Sequence, residues 1–506
     1  MQAMSDLRAL AATVVMTGFD GTSLDERTRE RFRETGFGGF VLFARNVASI
    51  EQVRALTDDL RSVSSPAPLI AVDQEGGRVA RLRDGVEALP PMMALGATRD
   101  VALACRAGEQ LAFDLRRAGF TVDFAPVVDL ALHAANTVIG SRAFGESPAL
   151  VTELACALVA GMNDGGIAAT LKHFPGHGDT SVDSHIGLPV IDASAATLRA
   201  RDLRPYEALL GASSAVMAAH VVARAFDSRV PASLSPALLT GLLRDELGFD
   251  GVCFTDCMQM DAIAKGIGTV AGVGAAIAAG ADCAIVSQDL DLAAAAVDHL
   301  VSEVGAGRIP HARLQEAAAR VMRLRASIAQ PVALDAPAPH PGVGREIARR
   351  AVTLVRGVAH ADPTASIIVS FEGTTTEGAQ GRLELRSSLR AQAAALEELV
   401  APLEPQAAET SALLEAVERS GRRPILLLRR ASSLPSQAQA ARRIIERFPD
   451  AVIVAAREPY DCALFANARH LLAIYGDSDV SLAGLADVLF GDGEARGVLP
   501  VELSRA

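Results

Sequence analysis

No tryptophan occurs in the 506-residue chain, tyrosine appears three times, and aromatic residues make up only 4%. A surface built from this composition has few amphipathic rings, which excludes broad aromatic platforms for stacking against long polymers. Cysteine is scarce as well. Cys105, Cys156, Cys253, Cys257, Cys283 and Cys462 are scattered through apolar segments without CxxC spacing, and they read as buried free thiols rather than disulfides or zinc ligands. No uninterrupted apolar run reaches the roughly 18 residues a membrane span needs, so no membrane partner is expected. Basic residues are outnumbered, 48 Lys and Arg against 60 Asp and Glu, leaving a formal charge of −12. That balance argues against a nucleic-acid partner, because phosphate backbones call for a basic surface. The opening "MQAMSDLRALAATVVMTGFDG" has only a short apolar run after Arg8 and no small-residue cleavage site. It reads as the first helix and strand of the fold, with Met4 as an alternative start, and a cytoplasmic location is expected.

What is present is length and alternation. A chain this long exceeds what one hydrophobic core usually holds, so two or three domains are expected. Short apolar runs alternate with alanine-rich helical stretches. The candidate strands are 12–19, 39–46, 68–77, 120–130, 167–176, 215–222, 251–260 and 283–289. Eight strands with helices between them make a (β/α)8 count. Each run starts apolar and acquires polar, ionisable or glycine residues at its end: Arg45 and Asn46, Asp73 to Gly77, Asp129, Lys172 to His177, His220, Asp256. A TIM-type barrel requires that gradient, because strand bodies fill the core while functional groups gather at the carboxyl-end mouth. In "SLSPALLTGLLRDELGFDG", Ser235 can cap a helix, Pro236 suits its first turn and Gly248 can end it. A helix is expected near 290–327. The proline-rich "AQPVALDAPAPHPGVG" then marks a linker. Beyond it, "SIIVSF", "PILLLRR", "AVIVAARE" and "HLLAIYG" predict a smaller α/β domain without ionisable clusters at its strand ends. The expected division is a barrel over 1–328, a linker over 329–346 and an α/β sandwich domain over 347–506.

The densest chemistry lies in "TLKHFPGHGDTSVDSHIGLPV", residues 170–190, which holds His173, His177 and His185. His173 and His177 have the i, i+4 spacing of a helical metal site. Pro175, Gly176 and Gly178 forbid that helix, and a phosphate-binding GxxxxGK[ST] is absent. Any one histidine taken alone is as well explained by hydrogen bonding inside a polar loop. Asp183 and His185, two apart, weigh against that reading, since an aspartate beside an imidazole fixes its tautomer and raises its basicity. In "FTDCMQM", Asp256 ends the seventh strand, where a carboxylate can serve as a nucleophile or simply cap the next helix.

Taken together, "KHFPGHGDTSVDSH", "GGFVLFARN", "AVDQEGGRVARL", "VDFAPVVDL", "VIGSRAFG" and "FTDCMQM" resemble glycoside hydrolase family 3, and within it the β-N-acetylglucosaminidases of the NagZ type. The resemblance covers residues 10–330, and "LADVLFGDGEARGVLPVEL" looks like the end of the family's second, sandwich domain. It implies a retaining exo-β-N-acetylglucosaminidase with Asp256 as nucleophile, His185 as acid/base and Asp183 as its dyad partner. It also implies that Asp73, Arg81, Arg142, Lys172 and His173 hold the sugar ring, with no cofactor and no metal. His177 and Asp179 acquire no role from it, and His220 reads as a packed histidine with satisfied ring nitrogens. A histidine acid/base does not repel anions as a second carboxylate would, so phosphate is a candidate acceptor beside water and a phosphorylase is the alternative activity. A non-catalytic sugar-binding relative and a metal-dependent hydrolase are the more remote ones. Cys257 after the nucleophile departs from the common pattern. With so few aromatic residues, the expected substrate is a short saccharide such as a muropeptide carrying N-acetylglucosamine, in keeping with peptidoglycan recycling.

Overall fold

The computed structural model describes residues 2–180, 187–373 and 396–503. Eight short strands, β1 (Val15–Thr17), β2 (Gly39–Leu42), β3 (Leu69–Val72), β4 (Val122–Asp123), β5 (Ala168–Phe174), β6 (Ala215–Ala218), β7 (Val252–Cys257) and β8 (Cys283–Val286), close into a barrel in chain order. Every neighbouring pair is parallel. Parallel strands are covered on both faces, which is why they read as continuous apolar runs. Inside, Met16, Val41, Leu69, Val122, Met217, Val252 and Ile285 pack around Phe124 and Phe254. These two rings meet edge to face at 5.4 Å between centroids, so the strand bodies form a filled core.

Each expected barrel strand is present, though shorter than its apolar run. The fourth run leaves the ladder because Pro126 has no N–H to donate, and pairing resumes only at an isolated bridge between Val127 and Lys172. The single helix expected over 290–327 is two, Leu290–Gly305 and His311–Ala326. Gly307, with φ of 75°, and Pro310 break it. No described helix is long and apolar enough to cross a membrane. All six cysteines are free, and Cys105, Cys156 and Cys257 are half-buried rather than fully buried.

The second domain contains β9 (Thr353–Arg356), β10 (Ser366–Glu372), β11 (Glu397–Pro402), β12 (Arg423–Leu428), β13 (Val452–Ala455) and β14 (His470–Ala473), in the order β9-β14-β13-β12-β10-β11. All pairs are parallel except β9 with β14. The expectation that this half lacks ionisable residues at its strand ends is wrong. Arg429 and Arg430 follow β12, Arg457 and Glu458 follow β13, and Asp477 lies beyond β14, where Arg429 pairs with it at 3.2 Å. They follow three neighbouring strands and so gather at the carboxyl end of the sheet, where Arg457 also lies 3.5 Å from Glu458. The domains are joined directly. Arg106 pairs with Glu346 at 2.9 Å and Arg350 with Asp100 at 2.6 Å, while the Tyr460 hydroxyl donates to the Ala131 carbonyl at 3.1 Å.

Candidate active site

Strand β5 delivers Lys172 and His173 to the barrel mouth as its last polar residues before Phe174 and Pro175. No helix joins His173 to His177. The chain turns at Pro175 and Gly176, the Gly176 N–H donating to the His173 carbonyl at 2.8 Å. Gly178 is sterically required, since a Cβ there would lie 2.0 Å from the Leu130 carbonyl oxygen. Asp129, fully buried, organises the turn. It accepts from His173 Nδ1 at 2.6 Å and from the His177 N–H at 2.7 Å. This leaves His173 Nε2 facing Arg142 Nη2 at 3.5 Å. Burial opposes the charge on Asp129, but His173 and His177 outweigh it and keep the carboxyl ionised below its usual range. Burial and then His173 push the His177 imidazole down to about 4, so it is neutral near pH 7. Its Nδ1 lies 2.9 Å from the Thr180 hydroxyl.

Across the mouth lies a charge-balanced clamp. After β3 the chain forms a tight hairpin, Gln74–Gly76 against Val79–Ala80. Gln74 Oε1 accepts from the N–H groups of Arg81 and Leu82, which returns Arg81 over Asp73 at 3.4 Å. Lys172 Nζ reaches Asp73 at 2.8 Å and Glu75 at 2.5 Å. Arg142 grips Glu75 with two bonds of 2.7 Å. Burial raises both carboxyls, yet Lys172 with Arg81 on one side and Arg142 with Lys172 on the other overcompensate, so Asp73 and Glu75 both sit below their ordinary values. Asp123, beneath them, accepts from the Gln74 N–H at 2.9 Å. Burial lifts its carboxyl well above the normal range. Ammonium and guanidinium donors beside carboxylate acceptors match the alternating donors and acceptors of a sugar's hydroxyls.

Asp256 is the penultimate residue of β7, half-buried, with Oδ1 accepting from the Cys257 N–H at 2.7 Å. Its negative charge reaches His177 and favours that imidazole's protonated form, against the stronger effect of burial. His220 is fully buried, with Nδ1 2.7 Å from Ser233 Oγ and Nε2 2.9 Å from the Cys257 carbonyl. It is the packed histidine expected. Cys257 Sγ lies 3.0 Å from Ser287 Oγ and burial raises its pKa. The expected dyad, Asp183 and His185, lies outside the described residues.

A glycosyl hydrolase family 3 N-terminal domain matches residues 6–324. The chain belongs to glycosyl hydrolase family 3. A family 3 β-N-acetylglucosaminidase from Paenibacillus sp. str. FPU-7 superposes with a TM-score of 0.91 at 32% identity, covering 98% of this chain and 99% of that one. A β-hexosaminidase of Chromobacterium violaceum is 45% identical over 280 residues, 54% of this chain and 78% of that protein. NagZ from Neisseria gonorrhoeae, solved with N-trifluoroacetyl-D-glucosamine, is 34% identical with a TM-score of 0.57, covering 67% of this chain and 96% of that one. Within this family 3 site, the five expected ring-holding residues, Asp73, Arg81, Arg142, Lys172 and His173, converge on one network. Glu75 and Asp129, which tie that network together, stood among the polar strand ends of the sequence but were assigned no role there. Both lay inside quoted motifs, "AVDQEGGRVARL" and "VDFAPVVDL", and both have a second carboxylate or a strand end close by in sequence as a signal.

Proposed function

We propose that this family 3 glycoside hydrolase is a retaining exo-β-N-acetylglucosaminidase acting on short saccharides. One observation carries the reading: a strand-end carboxylate, Asp256, shares the barrel mouth with a buried clamp in which Asp73, Glu75, Arg142 and Lys172 balance one another. Asp73, Arg81, Arg142, Lys172 and His173 hold the non-reducing ring through its hydroxyl and acetamido groups. Asp256 attacks the anomeric carbon while the leaving oxygen takes a proton from His185, which Asp183 orients and charges. Water, deprotonated by His185, then displaces Asp256 at the same carbon, and two inversions retain the configuration. The match of the whole chain to a β-N-acetylglucosaminidase at 32% identity supports the sugar. Scarcity of aromatic residues supports a short substrate, for which we take muropeptide fragments in cytoplasmic peptidoglycan recycling as the setting. We assign the catalytic unit to residues 1–328, the linker to 329–346 and the second domain to 347–506.

The test is product analysis with an aryl N-acetylglucosaminide, with and without saturating phosphate. Free N-acetylglucosamine released with retained configuration is expected in both arms. A dominant N-acetylglucosamine 1-phosphate would replace hydrolysis by phosphorolysis, and no turnover at all would leave a sugar-binding relative.

A further inference from the structure

We infer that the second domain positions the histidine loop of the barrel, with Tyr460 and Asn136 as the positioning residues. Residues 128–139 contain no helix or strand, so contacts on their two sides must fix their shape. The second domain supplies one side. Buried Tyr460 sits in the helical turn Pro459–Phe465, and its hydroxyl donates to the Ala131 carbonyl at 3.1 Å. Next to it, the Glu458 carboxylate packs on Gly140 so closely that a Cβ there would be 3.1 Å from Oε1. A few residues on, the Glu146 N–H donates to the Pro500 carbonyl at 3.1 Å.

The histidine loop supplies the other side. Asn136 is buried, and its Nδ2 donates to the carbonyls of His177 at 2.9 Å and Gly178 at 3.1 Å. Its Oδ1 accepts from the Ile139 N–H at 3.1 Å, which locks the amide in one orientation. The Leu130 carbonyl fills the space where Gly178 has no side chain. His133 Nε2 lies 2.5 Å from Asp179 Oδ1. Residues 177, 178 and 179 are thus each held by the segment that Tyr460 braces from behind. Asp183 and His185 follow within six residues in sequence, so the proposed dyad is covalently tethered to the segment that 177–180 closes. Misplacing a catalytic group by about 1 Å can cost a hundredfold in rate. On this inference the second domain contributes to catalysis by holding the loop.

The effect on the dyad rests on the acid/base reading proposed above, whereas the effect on the loop does not. Two readouts separate them: amide hydrogen exchange of peptides covering 170–180, and rates on an aryl N-acetylglucosaminide series graded by leaving group. Tyr460→Phe and Asn136→Ala are compared with Tyr475→Phe. That control removes a buried hydroxyl whose bond to Thr353, 2.6 Å long, lies wholly within the second domain. Tyr460→Phe should speed exchange in 170–180 about threefold to tenfold, the worth of one hydrogen bond, and Asn136→Ala should do so more strongly. Both should lose kcat most on poor leaving groups with KM held, while Tyr475→Phe matches the parent. Unchanged exchange in 170–180 would overturn the inference, as would the same acceleration in Tyr475→Phe. A flat leaving-group series for His185→Ala would overturn the acid/base reading alone and leave the exchange result standing.

Discussion

Replacing Glu75 by Gln keeps the shape of the clamp and deletes one charge. In the parent, Asp73 and Glu75 oppose Lys172 and Arg142, and the Glu75 and Lys172 side chains are each only 2% exposed. The substitution leaves two buried cations facing one carboxylate, with Arg81 adding more positive charge at the rim. Removing one partner of a buried pair costs about 3–5 kcal/mol, because the remaining charge stays desolvated. The amide still accepts one bond from Arg142, so the lower end, about 3 kcal/mol, is expected. For a barrel of this size, whose unfolding entropy is about 0.7 kcal/mol/K, that lowers the melting temperature by roughly 4 °C at pH 7. The sign with pH is defined. Glu75 is held below its ordinary 4.5, so its contribution is complete above that value and fades as pH falls below it. The gap between parent and variant should therefore shrink in acid. KM for an aryl N-acetylglucosaminide should rise about tenfold, one charged hydrogen bond, with kcat less affected. Thermal melts across pH 3–8 and steady-state kinetics measure both. A variant that melts with the parent at pH 7 would refute the clamp as described.

Asp256→Ala should abolish nearly all turnover while preserving the parent melting temperature, since the carboxylate is needed only in the chemical steps; substantial residual activity would reassign the nucleophile. His185→Ala should cost about a hundredfold or more on poor leaving groups and little on activated ones, with Asp183→Ala following the same trend more weakly; equal losses across the series would mean a binding role. His177 sits near 4 in the folded chain against 6.5 ordinarily, so the unfolded chain binds its proton first as pH drops. Stability should be full above pH 6.5 and fall by up to about 3 kcal/mol on the way to pH 4. His177→Asn should flatten that decline, and parallel melting curves for parent and variant would contradict a buried neutral imidazole.

The barrel was legible because each strand is apolar through its body and polar only at its end, and "TLKHFPGHGDT" shows that change within a few residues. Strand lengths were not legible, since the fourth strand ends at Asp123 although apolar residues continue through Val128. Asp73, Arg81, Arg142, Lys172 and His173 were named through family resemblance, and the structure brings them to one network. Glu75 and Asp129 were visible as strand-end carboxylates, but their roles lie in partners far along the chain: Arg142 is 67 residues from Glu75, and His173 is 44 from Asp129. Nor does any local pattern reveal that Arg429, Arg457 and Asp477 share one end of the second sheet, which strand order decides, or that Tyr460 reaches back 329 residues to Ala131, which the docking of the two domains decides.

The most direct test of the double displacement is to trap its intermediate. A 5-fluoro N-acetylglucosaminyl fluoride slows both displacements but keeps a good leaving group, so the covalent glycosyl-enzyme should accumulate. Peptide mapping should then place one sugar on Asp256 within "FTDCMQM", and release of the label should restore activity. A label on another peptide, or inactivation with no covalent sugar, would contradict the account.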